Sequence, residues 1–279
     1  MAQFVWMGRM NWNVPTLLPP GSVPDLKTWP TTVDAAITGG KKDGEKLLHD
    51  LCAELAHWQR ILYAQREQAL LVILQGMDTS GKDGTIRHVF RLVNPNGVHV
   101  AAFSRPTALE LSHDYLWRIH QRAPARGEIV IFDRSHYEDI VTVRVNDLRP
   151  ASVWKRRYKH VNAFEEMLAD EGITIVKFFL HIDRAEQKKR LEARLRDPEK
   201  HWKFDPSDLV ARERWDAYMA AYPEVLSRCN FGHAPWHIIP ANKKWVRNIL
   251  VASILVQTMR KLGMSFPKAH MDLARVRID

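Results

Sequence analysis

The stretch ALLVILQGMDTSGK, residues 69–82, decides the fold of this 279-residue chain. Its first six residues form a continuous apolar run, which is typical of a strand buried on both faces of a parallel sheet. Residues 76–82 then follow the spacing G-x-x-x-x-G-K, and a helical pattern runs over residues 84–93. A loop of this spacing between a strand and a helix is the context in which phosphate groups are held. The stretch therefore predicts a P-loop.

Apolar runs that predict strands recur along the rest of the chain and alternate with helical patterns. We predict further strands at residues 98–103, 128–132, 174–182 and 236–239, and further helices at residues 44–68, 106–121, 150–169, 184–196 and 244–261. Such alternation indicates an α/β fold with a doubly wound parallel sheet sandwiched by helices.

The domain organisation follows from composition along the chain. Residues 1–32 are rich in Pro, Trp and Gly, lack a clear period, and are expected to form an extended N-terminal arm. No linker divides the remainder, so we expect a single P-loop kinase domain over residues 33–279. The charged segment that follows the fourth strand is expected to form a lid at about residues 183–207.

The charge balance points to anionic partners. Lys and Arg together number 41 against 32 Asp and Glu, a formal net charge of +9. Such an excess favours nucleotides, polyphosphate, nucleic acid or a membrane surface as partners. No apolar stretch reaches the roughly 20 residues that span a bilayer, and the first residues lack the pattern of a signal peptide. Cys52 and Cys229 show no metal-ligand or disulfide spacing. We therefore expect a cytoplasmic protein with no membrane partner.

The phosphate loop presents backbone N–H groups, and the positive end of the following helix points at the same place. Lys82 adds a mobile positive charge near the transferring phosphate. An ordinary strand–turn–helix corner is the alternative, but it does not explain two glycines and a lysine at these spacings. The candidate phosphate- and nucleotide-binding residues here are Gly76, Met77, Thr79, Ser80, Gly81, Asp83, Gly84 and Thr85.

One position departs from the usual P-loop. The Ser or Thr that normally follows the lysine and binds Mg²⁺ is Asp83 here. Asp78, inside the loop, is a natural substitute because a hard carboxylate suits Mg²⁺. A carboxylate there would also repel phosphate unless a cation stood between them, which is itself an argument for a metal. Asp83 either contacts the site or complements the helix N-terminus with its charge.

A second acidic residue follows the third predicted strand. Asp133 stands at the carboxyl end of that strand, where open α/β sheets bind ligands, and it is predicted to hold Mg²⁺ directly or through water. A helix N-cap is its alternative role. Arg134 would grip a phosphate with its planar fork, or else form a surface salt bridge. Glu138 contacts the acceptor or the metal shell, or pairs with a nearby cation. His136 is interpreted as structural.

The predicted lid helix carries Arg190 and Arg194 four residues apart, on one helix face. Lys203 follows beyond its end. In P-loop kinases, arginines supplied by a lid neutralise the migrating phosphoryl group, so these cations are candidate phosphate ligands. A solvated helix face is the alternative, because Glu186 and Glu192 provide partial neutralisation.

Four segments together resemble the polyphosphate kinase 2 family: GMDTSGKDGT at 76–85, FDRSHYED at 132–139, EKHWKF at 199–204 and HAPWHIIPA at 233–241. The likeness covers about residues 30–265, and Asp83 after the lysine belongs to the family pattern. The resemblance implies a thymidylate-kinase-like core with a helical lid. It also implies transfer of phosphate between inorganic polyphosphate and adenine or guanine nucleotides.

Site roles follow from the same resemblance. It implies that Asp78 and Asp133 hold Mg²⁺ and that Arg134 and Arg194 grip phosphate. Members with Glu at the position of Glu138 resemble the group that phosphorylates both AMP and ADP, whereas members restricted mainly to ADP tend to carry Asn. We therefore expect the catalytic set Asp78, Lys82, Asp133, Arg134, Glu138 and Arg194, with Arg190 and Lys203 as further phosphate ligands.

The resemblance also implies a homo-oligomer, a dimer or a tetramer, with Trp6 and Trp12 of the arm as candidate contacts. The acceptor oxygen of a nucleotide phosphate is already ionised at neutral pH, so the site needs positioning and charge neutralisation rather than a strong base. Two rival functions remain: an NTP-dependent nucleoside monophosphate kinase on the same core, and a non-enzymatic nucleic-acid-binding protein. No RNA- or DNA-binding motif stands out, so we expect no nucleic-acid partner.

Overall fold

A parallel sheet of five strands lies at the centre of the protein, in the order β2-β3-β1-β4-β5. The structure is a computed structural model that describes residues 16–33, 40–271, 273 and 276–278. The strands are β1 (Ala69–Gln75), β2 (Val98–Ala102), β3 (Ile129–Asp133), β4 (Ile173–His181) and β5 (Trp236–Pro240). Every residue of β1 is buried, as expected for the middle strand of a sheet covered on both faces.

Helices flank the sheet in two packed groups. One group joins the first, second and last helices, and the other joins the fifth, sixth and ninth. The described residues form α1 (Gly40–Gln65), α2 (Lys82–Val89), α3 (Ala108–Leu111), α4 (Trp117–His120), α5 (Glu138–Val145), α6 (Ala151–Asp170), α7 (Arg184–Arg196), α8 (Pro206–Glu213), α9 (Trp215–Arg228) and α10 (Lys244–Lys261), with a 3₁₀ helix at Pro198–Lys203. This architecture confirms the predicted α/β fold.

The strand order determines where the site lies. The chain passes from β1 to β2 and β3 on one side, and then crosses to β4 on the other. Ligands of such sheets bind outside the carboxyl ends of the strands, at the point where the order reverses. The register pairs Leu74 of β1 with Asp133 of β3, so the phosphate loop and the acidic end of β3 emerge side by side.

The predicted strands agree with the structure to within one residue at each end, and α7 and α10 have the predicted bounds. The single helix predicted over residues 106–121 is wrong, because α3 and α4 take its place. Asp114 accepts a hydrogen bond from the Leu116 backbone N–H at 2.9 Å, and such side-chain contacts compete with a continuing helix. Leu109 and Leu111 are also exposed, so no apolar stripe supports a longer helix.

The segment before α1 runs along the outer edge of the sheet. Leu17 forms an antiparallel bridge with His237 of β5, and the Leu18 N–H donates to the Trp236 carbonyl at 3.0 Å. Residues 1–15 lie outside the described residues, and with them the candidate oligomer contacts Trp6 and Trp12. Within the described part of the chain, no helix combines the length and apolarity needed to cross a bilayer.

Candidate active site

The phosphate loop is a tight turn in which two positions require glycine. Gly76 has φ of 143°, and a methyl group there would lie 2.7 Å from the Leu180 carbonyl oxygen. Gly81 has φ of 104°, and a methyl group there would lie 1.8 Å from Nη1 of Arg247. Thr79 also adopts a positive φ, 64°, and the Ser80 N–H closes the turn on the Met77 carbonyl at 3.0 Å. The loop spacing seen in the sequence therefore reflects a steric requirement of the turn.

The start of α2 is suited to an anion. Its N-cap is Gly81, which offers no side chain to the first N–H groups of the helix, so those donors are open to a ligand. Lys82 is 8% exposed, and its ammonium group donates to the Gly76 carbonyl at 3.0 Å. This places the charge of Lys82 across the mouth of the loop.

A cleft of about 1320 Å³ opens at the carboxyl edge of the sheet, between α2, α7 and the end of β3. It brings together most of the residues predicted from the sequence. Gly76, Met77, Ser80, Thr85 and Glu138 do not line it; the first four support the turn, and the Thr85 hydroxyl donates to the Gly81 carbonyl at 3.1 Å. The predicted residues that line the cleft are Asp78, Thr79, Gly81, Lys82, Asp83, Gly84, Asp133, Arg134, Arg190, Arg194 and Lys203.

Arg134 links the end of β3, which carries Asp133, to Asp78 in the phosphate loop. Its backbone has a positive φ, 64°, and its N–H donates to the Leu74 carbonyl at 3.1 Å. Its Nη2 donates to Oδ1 of Asp78 at 2.7 Å. Burial opposes the charge of Arg134, but the carboxylates of Glu138, Asp78 and Asp133 outweigh burial and raise its pKa above the ordinary value. The guanidinium therefore stays charged within a cluster of carboxylates.

Asp78 and Asp133 form a donor set that fits Mg²⁺. Both carboxylates line the same cleft, and no hydrogen-bond donor among the described residues is paired with the Asp133 carboxylate. The described residues contain no group of three or more His, Cys, Asp or Glu side chains that could cage a metal. Mg²⁺ is commonly bound by one or two carboxylates together with substrate phosphates and water, so two hard oxygen donors beside a phosphate loop suit it.

Glu138, at the start of α5, is held by its neighbours. The Thr142 hydroxyl donates to its Oε2 at 2.5 Å. With its amide turned to satisfy both ends, Gln75 donates to Oε1 of Glu138 at 3.1 Å and accepts from the N–H of Ser135 at 3.1 Å. Glu138 is thus oriented by β1 and α5, close enough to Arg134 to raise the pKa of that guanidinium.

Arg190 of α7 braces the phosphate loop from the side. Its Nη1 donates to the carbonyls of Thr79 and Ser80, each at 2.9 Å. Its Nη2 donates to the Ala241 carbonyl at 2.6 Å, and its Nε donates to Glu186 at 2.7 Å. The structure directs these donors at the protein itself, so Arg190 ties the loop to the turn that follows β5.

Arg194 and Lys203 extend the cleft wall away from the loop. Arg194 donates to Oδ2 of Asp208 at 2.6 Å and to the Lys203 carbonyl at 2.9 Å. The Lys203 ammonium donates to Oδ2 of Asp83 at 2.8 Å, and this hydrogen bond is the largest cause of the lowered Asp83 pKa. Lys203 therefore bridges the cleft from the α7 side to the α2 side.

Several cations of the cleft were not predicted from the sequence. Two of them could have been proposed from the sequence, because Arg87 and Arg91 are four residues apart just after the phosphate loop. Arg247 lies in the first turn of α10, and the helical pattern of that segment carried no sign of a site. The unpredicted cations that line the cleft are Lys41, Arg87, Arg91, Lys189, Lys200, Lys244 and Arg247.

A buried ionic network supports the segment that follows Asp133. Lys177 of β4 donates to Oε2 of Glu165 at 2.5 Å, to the Tyr137 hydroxyl at 2.9 Å and to the Cys229 carbonyl at 2.7 Å. His136 Nε2 lies 3.1 Å from Oε1 of Glu165. Burial opposes ionisation of Glu165, but Lys177 and His136 outweigh it and lower the Glu165 pKa. The structure thus gives His136 the structural role expected from the sequence.

The parallel sheet, the phosphate loop after β1 and the acidic end of β3 together define a P-loop phosphotransferase of the kinase class. Residues 39–266 match the family described as Polyphosphate kinase 2. The chain belongs to this family.

Curated relatives extend over nearly the whole chain. An AMP/ADP-polyphosphate phosphotransferase of Meiothermus ruber is 49% identical over 255 residues, which cover 91% of this chain and 96% of the relative. An ADP-polyphosphate phosphotransferase of Rhodopseudomonas palustris is 41% identical over 260 residues, covering 89% and 90%. The crystal structure of a Polyphosphate Kinase 2 from Arthrobacter aurescens superposes with a TM-score of 0.88 at 43% identity, covering 94% of this chain and 93% of the other.

Proposed function

We propose that this protein transfers phosphate between inorganic polyphosphate and nucleotides, converting AMP to ADP and ADP to ATP, with Mg²⁺ as its metal. The observation that carries the proposal is the convergence of Asp78, Asp133 and many cations on one cleft beside a phosphate loop. A polyanionic donor explains why the cations extend along α2 and α7, well beyond the loop itself. The names of the Meiothermus and Rhodopseudomonas relatives support the same reaction.

The residues of this chain act mainly by positioning and charge neutralisation. The loop N–H groups and Lys82 would hold the phosphate that is transferred, and Arg134 would neutralise its charge from the side of β3. Mg²⁺ on Asp78 and Asp133 would supply charge that offsets the negative phosphate oxygens. Arg194 and Lys203 would hold more distant phosphates of the donor, with α7 and the following segment acting as the lid.

Use of both AMP and ADP rests on Glu138. Its carboxylate is oriented by Gln75 and Thr142, which would keep it in a constant position relative to Arg134. The Meiothermus relative is named for both AMP and ADP, whereas the Rhodopseudomonas relative is named for ADP alone. The use of guanine nucleotides, a dimeric or tetrameric state, a cytoplasmic location and the lack of nucleic-acid binding stay predictions.

One assay tests the proposal against its rivals. Long-chain polyphosphate, Mg²⁺ and AMP are incubated with the protein, and ADP and ATP are measured by chromatography. We expect ADP to form first and ATP to follow. Lys82→Met should abolish both products, whereas Lys159→Met, at an exposed position of α6 away from the cleft, should leave them unchanged.

Each rival gives a different result in this assay. Transfer from ATP to AMP with none from polyphosphate would identify a nucleoside monophosphate kinase. Salt-sensitive oligonucleotide binding without turnover would identify a nucleic-acid-binding protein. Product from ADP but none from AMP would overturn the role given to Glu138.

A further inference from the structure

Arg247 of α10 lies directly behind the phosphate loop, although the reaction described above does not use it. Its side chain is 2% exposed. Its Nη1 donates to the Ser80 carbonyl at 3.2 Å. A methyl group on Gly81 would lie 1.8 Å from the same nitrogen, and one on Gly84 would lie 3.3 Å from Nη2. The guanidinium therefore fills the space that the loop glycines leave open.

The charge of Arg247 has no carboxylate partner among the described residues. Its Nε and Nη2 both donate to the neutral Oδ1 of Asn248, at 3.1 and 2.8 Å. Burial, and then the like charge of Arg190, lower its pKa. A guanidinium nevertheless stays protonated in proteins. A positive charge is thus buried beneath the loop without neutralisation, which is costly in the interior of a protein.

Two further positive features meet at the same place. Arg190 donates to the same Ser80 carbonyl at 2.9 Å, so two guanidinium groups share one acceptor. The first N–H groups of α2 are not capped by a side chain, and the positive end of the helix dipole lies there. The charge of Arg190 is already paired with Glu186 at 2.7 Å, so an anion held by the loop would offset chiefly the Arg247 charge and the positive end of α2.

We propose that Arg247 is a positioning residue that supports the phosphate loop and makes phosphate binding more favourable through its uncompensated charge. The inference rests on the proposed function only to the extent that the loop binds phosphate. Arg247 donates to the Ser80 carbonyl and packs against Gly81 and Gly84, and its charge favours an anion in the cleft, whose wall it helps to form. The same charge makes the protein less stable before phosphate is added.

An ordinary structural brace makes a different prediction. If Arg247 only held the loop together, its removal would lower stability and leave the phosphate affinity of the folded protein unchanged. Under the proposal, loss of the charge weakens phosphate binding while stability in phosphate-free buffer is retained or rises. The two roles are therefore separated by the signs of two independent measurements.

The experiment compares Arg247→Met, Arg247→Gln and the control Arg260→Met. Arg260 lies on the same helix, but its guanidinium is paired with Glu54 at 2.6 and 2.7 Å. Inorganic tripolyphosphate is titrated into each protein by calorimetry, and Tm is measured in phosphate-free buffer. Both Arg247 variants should bind about tenfold more weakly or worse, and the Tm of Arg247→Met should be no lower than that of the wild type. Arg260→Met should lose Tm and keep the wild-type affinity.

The outcomes distinguish the failure of this inference from that of the proposed function. Wild-type affinity in the Arg247 variants, or loss of Tm as in Arg260→Met, would overturn the inference. Failure of Arg247→Met to fold would count as such a loss, and Arg247→Gln, which keeps a donor for the Ser80 carbonyl without the charge, would then test the effect on affinity alone. Tight tripolyphosphate binding that depends on Arg247, with no transfer to nucleotides, would support the inference and refute the proposed function.

Discussion

Two buried cations, Lys177 and Arg247, support the two loops of the site. They differ in whether a carboxylate of the protein neutralises their charge. Lys177, fully buried behind the segment that follows Asp133, donates to Glu165, to the Tyr137 hydroxyl and to a backbone carbonyl. Arg247, buried against the phosphate loop, donates to an amide oxygen and a backbone carbonyl. Among the residues that the structure describes, the Lys177 charge has a carboxylate partner and the Arg247 charge has none.

The difference separates two tasks. The neutralised network fixes the segment 135–137, and so the direction in which Asp133 and Arg134 leave β3, whether or not a ligand is present. The charge of Arg247 has no carboxylate partner among the described residues. An anion bound in the phosphate loop can therefore neutralise it. Buried charge can therefore specify a structure in one place and favour a ligand in another.

The largest stability effect is expected from Lys177→Met. The substitution leaves the Glu165 carboxylate buried without its cation, and breaking a buried ion pair in this way costs about 3–5 kcal/mol. The free energy of unfolding, measured in urea, should fall by that amount. Arg247→Met should show no such loss, since it removes a charge that has no carboxylate partner in the described part of the chain.

A second substitution tests the reason for that loss. Lys177→Met combined with Glu165→Leu removes both charges, and it should recover at least half of the lost stability because no unpaired carboxylate remains. A double variant as unstable as Lys177→Met alone would show that packing, and not the unpaired charge, determines the effect.

A smaller effect that depends on pH is expected at Asp139, whose N–H donates to the carbonyl of His136 in the segment that the Lys177 network supports. Burial, partly offset by Arg157, raises the Asp139 pKa from 3.8 to about 6. Because the folded pKa is raised, the stability that this group contributes is present below about pH 4 and lost as pH rises through 6. Asp139→Asn removes that loss, so its stability relative to wild type should improve between pH 4 and 7 by up to about 3 kcal/mol. A difference that does not vary with pH would contradict this assignment.

The smallest stability effect is expected at the exposed pair of Lys203 and Asp83, whose side chains are 32% and 67% exposed. Surface pairs typically contribute less than about 1 kcal/mol. Lys203→Ala should therefore leave the unfolding energy nearly unchanged while it raises the KM for polyphosphate several-fold. Lys159→Ala serves as the control, and equal KM values in the two variants would remove Lys203 from the site.

The sheet could be predicted from the sequence because its strands are apolar or mostly apolar runs, continuous in β1 and interrupted by single polar residues such as His99 in β2 and Lys177 in β4. The helices were less predictable. The segment at residues 138–145 follows the acidic motif without an apolar stripe, and α9 contains Pro223, which ordinarily argues against a helix interior. Packing against neighbouring helices determines both elements, and a local pattern does not contain that information.

The convergence of Asp78, Lys82, Asp133 and Arg134 was predictable because parallel strands bring their carboxyl ends to one edge. The hydrogen-bond acceptors of Arg190 were not predictable, because the sequence of a charged helix does not show that an arginine on it donates to backbone carbonyls. Arg247 was hidden for a similar reason, as only the folded chain places α10 behind the loop glycines. Sequence patterns thus identify the groups that face a ligand better than the groups that support them.

The most direct test of the account is the rate of ADP formation from polyphosphate and AMP by Asp133→Asn. The substitution keeps the size of the side chain and removes the charge that is assigned to the metal. Asp170→Asn, at the exposed end of α6, is the control, and Tm and circular dichroism verify the fold of both variants. We predict that Asp133→Asn is folded and has no measurable transfer, while Asp170→Asn is fully active. A folded Asp133→Asn variant with near wild-type activity would contradict the account.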